Sequence, residues 1–249
     1  MTPDKPVILL AHEAFYRPVH YEAVLSALRD RGFTAVAPAL PTTGTDPRLT
    51  YEDDVAVLEG VLRPLLDEGK DVIVVAHGFG SLPASQCIEG ESLAERAECG
   101  LKGGIKHYVN VCGLAYPRRG KSVMGEDDDF PLQEYNFAED GLIHLRDSAK
   151  PVLHNDLSSD QVEDVWATMV KTHSQKSFNG RPKFVDKEIR VPKTYVFCEK
   201  DIALSTQYQA YFIKAGRYED VVRAPSGHVP FLAAPERMVE TILEIADRD

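Results

Sequence analysis

Short apolar runs recur along the chain and alternate with stretches whose apolar residues are spaced three or four apart. The run "DVIVVA" is apolar after its first residue, which is typical of a parallel strand buried on both faces. Comparable runs predict further strands. The six predicted strands cover residues 6–11, 33–40, 71–76, 105–113, 193–201 and 219–225.

Three stretches have the spacing of amphipathic helices: residues 21–32, residues 51–69 and the segment that begins near Pro235. Acidic residues fill the first turn of the second stretch, where they favour the helix dipole. Alternating strands and helices predict an α/β protein with a mainly parallel sheet of about six strands flanked by helices.

One segment interrupts this alternation. Residues 114–190 contain no convincing strand, and their clearest pattern is a helix that opens with a capping box formed by Ser158 and Gln161. We interpret the segment as an inserted helical lid. The predicted organisation is a core at 1–113, the lid at 114–190, and the rest of the core at 191–249.

The charge balance narrows the range of partners. The chain of 249 residues has 28 Lys and Arg against 39 Asp and Glu, a net charge of −11. A negative surface disfavours nucleic acids and anionic membranes. We therefore expect a small-molecule substrate, no nucleic-acid partner and no membrane partner. The sequence leaves the oligomeric state open.

Cysteine usage and apolar run lengths bear on the compartment. The four cysteines lack the spacing of a disulfide framework or a zinc site, which favours free thiols in a reducing cytosol. No run approaches the ~20 apolar residues of a membrane span, and the first residues lack a signal-peptide pattern. The prediction is a cytoplasmic protein that uses no metal and no cofactor.

The stretch "VIVVAHGFGSLPA" (72–84) carries the most informative motif. A strand runs into a glycine-rich turn that opens a helix, the layout of the nucleophile elbow G-x-S-x-G. The five positions here read Ala76-His77-Gly78-Phe79-Gly80, so a glycine stands at the nucleophile position. Ser81 and Cys112 are weaker candidates for a substitute nucleophile.

Two further residues follow in the order expected after an elbow. Asp201 lies just beyond a predicted strand, and His228 lies in the loop before the last helix. From His12, the stretch "HEAFYRPVHYEAVLSALRDRGF" matches plant methylesterases and hydroxynitrile lyases without gaps. The chain therefore resembles the methylesterase and hydroxynitrile-lyase branch of the small α/β-hydrolase superfamily, over about residues 6–112 and 190–249.

The resemblance implies roles for individual residues. His228 is expected to be the catalytic base and Asp201 to orient it, with the backbone N–H groups of Phe79 and Ala14 forming an oxyanion hole. Gly78 marks the lost nucleophile. Glu13, which replaces a family glycine, and His12 are candidate accessory residues, although a hydrogen-bonded structural role for both is the simpler interpretation.

We therefore predict a serine-independent enzyme that performs proton-transfer chemistry of a lyase, cyclase or isomerase type on a small apolar carbonyl or phenolic metabolite. One alternative is an ester or lactone hydrolase, with water activated directly by His228 or with its nucleophile removed by engineering. Another is a non-catalytic small-molecule binding protein on a hydrolase scaffold. The fold hosts many chemistries, so the sequence does not identify the substrate.

Overall fold

The computed structural model describes residues 5–123 and 135–248. Those residues form nine strands: β1 (Val7–Ala11), β2 (Ala35–Val36), β3 (Asp71–His77), β4 (Gly104–Val111), β5 (Tyr135–Phe137), β6 (Leu142–Leu145), β7 (Thr172–Ser174), β8 (Lys193–Cys198) and β9 (Asp220–Ala224). Six of them form one parallel sheet in the order β2-β1-β3-β4-β8-β9. The predicted α/β fold and its six-stranded parallel sheet are confirmed.

The described part of the chain also contains ten α-helices: α1 (Glu22–Asp30), α2 (Tyr51–Asp67), α3 (Ser81–Gln86), α4 (Leu93–Glu98), α5 (Lys150–Leu153), α6 (Ser159–Thr168), α7 (Gln175–Phe178), α8 (Thr206–Gly216), α9 (Pro230–Ala233) and α10 (Pro235–Ala246). Helix α1 packs against α10, and α2 packs against α3. The side chain of Asp53 accepts a hydrogen bond from the backbone N–H of Thr50, which caps the start of α2.

The hydrophobic core is densest around the central strands. Strand β1 is buried along its whole length, and it pairs in register with β3 from Val7 opposite Val72 to Ala11 opposite Ala76. Apolar side chains on both faces are buried because helices flank the sheet. Since the main strands are all parallel, the loops that follow β1, β3, β8 and β9 meet at one edge of the sheet.

The inserted segment between β4 and β8 differs from the helical lid that the sequence predicts. It contains α5, α6 and α7, but also an antiparallel sheet in the order β5-β6-β7. These strands are only three or four residues long, which is too short for a period-two pattern to stand out. The predicted capping box is present: Ser158 Oγ accepts a hydrogen bond from the N–H of Gln161 at the start of α6.

Two further properties concern the whole described part of the chain. No helix in it combines the length and the apolar character needed to cross a membrane. All four cysteines are free thiols, with Cys87, Cys112 and Cys198 buried and Cys99 exposed.

Candidate active site

The turn after β3 has the geometry that an elbow requires. Gly78 follows the last residue of β3 and has a φ of +51°, in the left-handed region where glycine carries little strain. The turn leads directly into α3. The strand, turn and helix predicted for residues 72–84 are therefore present.

The space beside Gly78 is filled by Glu13. A Cβ atom built on residue 78 would lie 1.2 Å from Glu13 Oε2 and 2.2 Å from the Glu13 carboxyl carbon. The Glu13 carboxylate thus takes the position that a serine side chain would occupy. Glu13 and Gly78 are complementary in shape: the glycine provides the space, and the glutamate from the loop after β1 fills it.

The two predicted oxyanion-hole donors also meet at Glu13. Its Oε1 atom accepts hydrogen bonds from Ala14 N at 2.5 Å and from Phe79 N at 3.0 Å, and Oε2 lies 3.0 Å from Phe79 N. The structure brings these N–H groups together, as the resemblance implies. In this structure the carboxylate of Glu13 occupies the hole that these donors form.

The histidine and its acid come from two further loops at the same edge of the sheet. His228 Nδ1 lies 2.8 Å from Asp201 Oδ2, and Nε2 lies 3.1 Å from Glu13 Oε2. Asp201 Oδ1 accepts from the N–H groups of Ala203 and Leu204 at 2.9 Å each. The side chains of Glu13 and His228 are only 6% exposed, and that of Asp201 is fully buried. An imidazole therefore lies between two carboxylates.

Electrostatics place a proton on His228. Burial alone lowers its pKa, but the negative charge of Asp201 and the hydrogen bonds to Asp201 and Glu13 raise the pKa well above the ordinary value. Burial raises the pKa of Glu13, and the hydrogen bond and charge of His228 more than offset this and lower it. Both shifts favour an imidazolium beside an ionised glutamate. His228, expected from the resemblance to be the base, is a proton donor in this state, and Glu13 is the acceptor.

A second connection joins Glu13 and His228 through their backbones. The Tyr21 hydroxyl accepts a hydrogen bond from Glu13 N at 2.9 Å and donates to His77 Nδ1 at 2.7 Å. His77 Nε2–H then donates to the carbonyl oxygen of His228 at 2.7 Å. Burial and the neighbouring charge of His228 lower the pKa of His77 to about 4, so this ring is neutral. A closed ring of hydrogen bonds therefore fixes Glu13 and His228 relative to each other.

His12 supports the same loop through the backbone of Glu13 and makes no hydrogen bond to the Glu13 carboxylate or to His228 among the described contacts. Its Nε2 atom accepts from Leu40 N at 2.9 Å, so Nδ1 carries the proton and donates to the carbonyl oxygen of Glu13 at 2.8 Å. The next turn is strained: Phe15 has a φ of +68°, which is uncommon for an aromatic residue. Such conformations persist where surrounding contacts hold them. The loop is therefore built to place the Glu13 carboxylate.

The alternative nucleophiles have other roles in this arrangement. Ser81 Oγ donates to the carbonyl oxygens of Gly78 and Leu114, so its hydroxyl is engaged inside the fold. Cys112 is fully buried, and burial raises the pKa of its thiol well above the ordinary value. Neither residue is poised for attack on a substrate.

One group of side chains among the described residues has potential ligand atoms close enough for a metal ion: His77, Cys112 and His228 lie within 4.8 Å of one another. Both ring nitrogens of each histidine already take part in hydrogen bonds. The Cys112 thiol lies 3.3 Å from the carbonyl oxygen of His228. The potential ligand atoms of this group therefore already take part in contacts within the site.

Comparisons with known proteins agree with this architecture. Residues 8–241 match the model of the alpha/beta hydrolase family, and the chain belongs to that family. It is 29% identical over 247 residues to the alpha/beta hydrolase nvfD of Aspergillus novofumigatus, with 97% of each chain covered. It is 22% identical to Methylesterase 7 of Arabidopsis thaliana, with 90% of each covered.

Solved structures share the fold. Polyneuridine aldehyde esterase superposes with a TM-score of 0.77 at 17% identity, covering 98% of this chain and 100% of that one. Tomato methylketone synthase I complexed with 2-tridecanone superposes with a TM-score of 0.76 at 16% identity, covering 98% of each chain. Relatives of this chain carry the names of hydrolases, which supports an enzyme.

Proposed function

We propose that this protein is a serine-independent enzyme that transfers protons on a small, neutral, apolar carbonyl or phenolic compound. The proposal depends on one observation: the Glu13 carboxylate takes the serine position and lies within hydrogen-bond distance of His228. The chemistry is of the lyase, cyclase or isomerase type, and no bond to the enzyme forms.

The separation of the two groups suits a paired proton transfer. Glu13 Oε2 and His228 Nε2 are 3.1 Å apart. A substrate that replaces the hydrogen bond between them gives a C–H or O–H proton to Glu13 while its carbonyl oxygen receives the proton of His228. The product of this step is an enol or another neutral intermediate, and the reverse transfers return both groups to their starting states. Enolisation, elimination and ring closure all use such a step.

The strength of the base indicates which protons it removes. Glu13 accepts hydrogen bonds from two backbone N–H groups and from His228, and its pKa is lowered. A weak base acts on protons that a neighbouring carbonyl or aromatic ring already makes acidic. The single positive charge of the buried imidazolium lies between two carboxylates, so the site repels anions and favours a neutral substrate.

The fit between Glu13 and Gly78 bears on whether the nucleophile was removed by engineering. A serine restored at position 78 would collide with the Glu13 carboxylate as it stands. The alternative of an engineered serine hydrolase is therefore disfavoured. A structural neighbour of the same fold is complexed with a methyl ketone, 2-tridecanone, which supports a carbonyl compound as the substrate class.

Deuterium uptake tests the proposal without knowledge of the net reaction. The protein is incubated in D₂O with 2-tridecanone, acetophenone and cyclohexanone, and incorporation next to the carbonyl is followed by mass spectrometry. We expect wild-type protein to exchange at least one of these ketones, and Glu13→Gln and His228→Ala to lose the activity. Equal uptake by wild type and Glu13→Gln would overturn the proposal.

Ester or lactone hydrolysis is a second candidate, because the named relatives include hydrolases and a methylesterase. In that reaction Glu13 and His228 activate a water molecule directly. Hydrolysis of p-nitrophenyl acetate or a γ-lactone by wild type that disappears in Glu13→Gln, with no deuterium uptake into ketones, would favour this candidate.

A further inference from the structure

A short stretch of the inserted segment contacts all three loops that carry the reacting groups. Residues 154–156, which we call the latch, lie between α5 and α6. Asn155 Nδ2 donates to the carbonyl oxygen of Lys200 at 2.8 Å. Asp156 Oδ2 accepts from Gly227 N. Lys200 and Gly227 immediately precede Asp201 and His228. The latch therefore hydrogen-bonds to the backbone next to both of these residues.

The third contact reaches the loop of Glu13. His154 Nδ1 lies 3.2 Å from the carbonyl oxygen of Lys150, so this nitrogen carries the proton and Nε2 accepts from the Tyr16 hydroxyl at 2.8 Å. His154 is buried, and burial lowers its pKa to about 4, which keeps the ring neutral. Tyr16 in turn donates its backbone N–H to the carbonyl oxygen of Glu13 at 3.2 Å. The latch therefore also supports the turn that places Glu13.

The loop of His228 is shaped for this contact. A Cβ atom on residue 227 would lie 2.3 Å from Asn155 Oδ1 and 2.7 Å from Asp156 Oδ1. A side chain at 227 would therefore displace the polar ends of Asn155 and Asp156 from these positions. Asp156 Oδ1 is buried and has no hydrogen-bond partner among the described residues. A half-satisfied carboxylate costs free energy, and the contact of Oδ2 with Gly227 N offsets part of that cost.

We propose that Asn155 and Asp156 are positioning residues through which the inserted segment sets the separation of His228 from Asp201. The two loops come from β8 and β9, and the latch holds both from the same side. The role of the latch in turnover rests on the proposed proton transfer. Its role in positioning the Asp201 and His228 loops is argued from the hydrogen bonds alone. Loss of the latch lets the two loops separate, and the hydrogen bond between His228 and Asp201 opens more often.

Proton NMR of the full-length protein tests this inference directly. The downfield signal of His228 Nδ1–H is assigned by its absence in His228→Ala, and its exchange with water is measured. We expect Asn155→Ala/Asp156→Ala to speed this exchange on the order of tenfold, because opening of the hydrogen bond limits it. Asp156→Asn keeps an acceptor for Gly227 N and is expected to exchange like wild type.

Thr168→Val is the matched control. Thr168 Oγ1 lies 2.9 Å from His20 Nε2 and joins the end of α6 to the core away from the Asp201 and His228 loops. We expect it to leave the His228 signal unchanged. Unchanged exchange in the double variant, or equal acceleration in Thr168→Val, would overturn the inference. If the double variant does not fold, the exchange rates of the His228 Nδ1–H signal in Asp156→Ala and Asp156→Asn are compared instead. Faster exchange in Asp156→Ala alone supports the inference, and equal rates overturn it. Absence of ketone exchange in wild type would reject the proposed function and leave this readout intact.

Discussion

Two buried carboxyl groups in this protein have pKa values that are shifted in opposite directions. Glu13 and Asp54 are both buried, and each accepts hydrogen bonds from backbone N–H groups. Glu13 faces an imidazolium, and its pKa is lowered. Asp54 faces the N–H and hydroxyl of Thr42, and burial raises its pKa to about 7 despite those hydrogen bonds. A neighbouring imidazolium lowers the pKa of one buried acid, whereas the hydrogen bonds from Thr42 do not prevent burial from raising the pKa of the other.

Among the variants that test this comparison, Glu13→Gln is expected to reduce ketone exchange the most. Glutamine keeps the size and an acceptor oxygen for Ala14 N and Phe79 N, but it removes the charge and the base. Ketone exchange should fall by about 10²–10⁴-fold, the usual contribution of general acid–base catalysis. The pKa of His228 should also fall, because one of its two carboxylates is lost. Histidine NMR titration measures the second effect, and an unchanged titration would contradict the charge assignment.

Asp201→Asn should have a smaller effect on the same reaction. It removes the other carboxylate beside His228 while Glu13 still provides one. The amide can also donate to Nδ1 and favour the wrong tautomer. We expect exchange to slow on the order of 10²-fold, measured with the same ketones. A loss as large as that of Glu13→Gln would show that the two carboxylates act as one unit.

Gly78→Ser tests whether residue 78 must be small to leave room for the Glu13 carboxylate. The new side chain collides with Glu13, and a left-handed backbone costs about 1–3 kcal/mol for a non-glycine residue. We expect a lower melting temperature and loss of ketone exchange.

The double variant Glu13→Gly/Gly78→Ser removes that collision. It should melt above Gly78→Ser and show a burst with p-nitrophenyl acetate, because Phe79 N and Ala14 N are then free to bind an oxyanion. A single variant as stable as wild type would reject the steric interpretation of residue 78.

The smallest effect on ketone exchange should come from Asp54→Asn, which instead changes the pH dependence of stability. Because the folded-state pKa of Asp54 is about 7 and lies above the ordinary value, the folded state binds an extra proton at intermediate pH. The group therefore favours folding below its ordinary pKa and loses this advantage as pH rises toward 7, by at most about 1.4 kcal/mol per pH unit. Asparagine should remove that slope, so the variant gains stability relative to wild type as pH rises from 5 to 8. Urea unfolding across this range measures it, and parallel curves would contradict the assignment.

The sequence predicted the main sheet well because its strands are long apolar runs. Strand β3, the elbow and α3 follow the expected layout, and the last helix begins at Pro235 as predicted. The strand expected at 33–40 is reduced to Ala35–Val36, since only those residues pair with β1. The strands of the inserted segment were missed because three or four residues do not establish a period. The acidic run at 126–129 lies outside the described residues.

The site was harder to predict because its key contact joins distant parts of the chain. Asp201 and His228 follow from their places after strands, and the structure brings them together. The position of the Glu13 carboxylate depends on the distance between two loops separated by more than sixty residues. The signal was present as two departures from one family pattern, a larger residue at 13 and a smaller one at 78. Tyr21 and the latch had no motif that could single them out.

The complementarity of positions 13 and 78 also restricts the order in which such a pair can arise. Starting from a glycine at 13 and a serine at 78, a first change to glutamate would place two side chains in one space. A first change to glycine at 78 leaves a small gap, which costs less than an overlap. The accessible mutational path therefore passes through a form with glycine at both positions, which has neither the nucleophile nor the carboxylate.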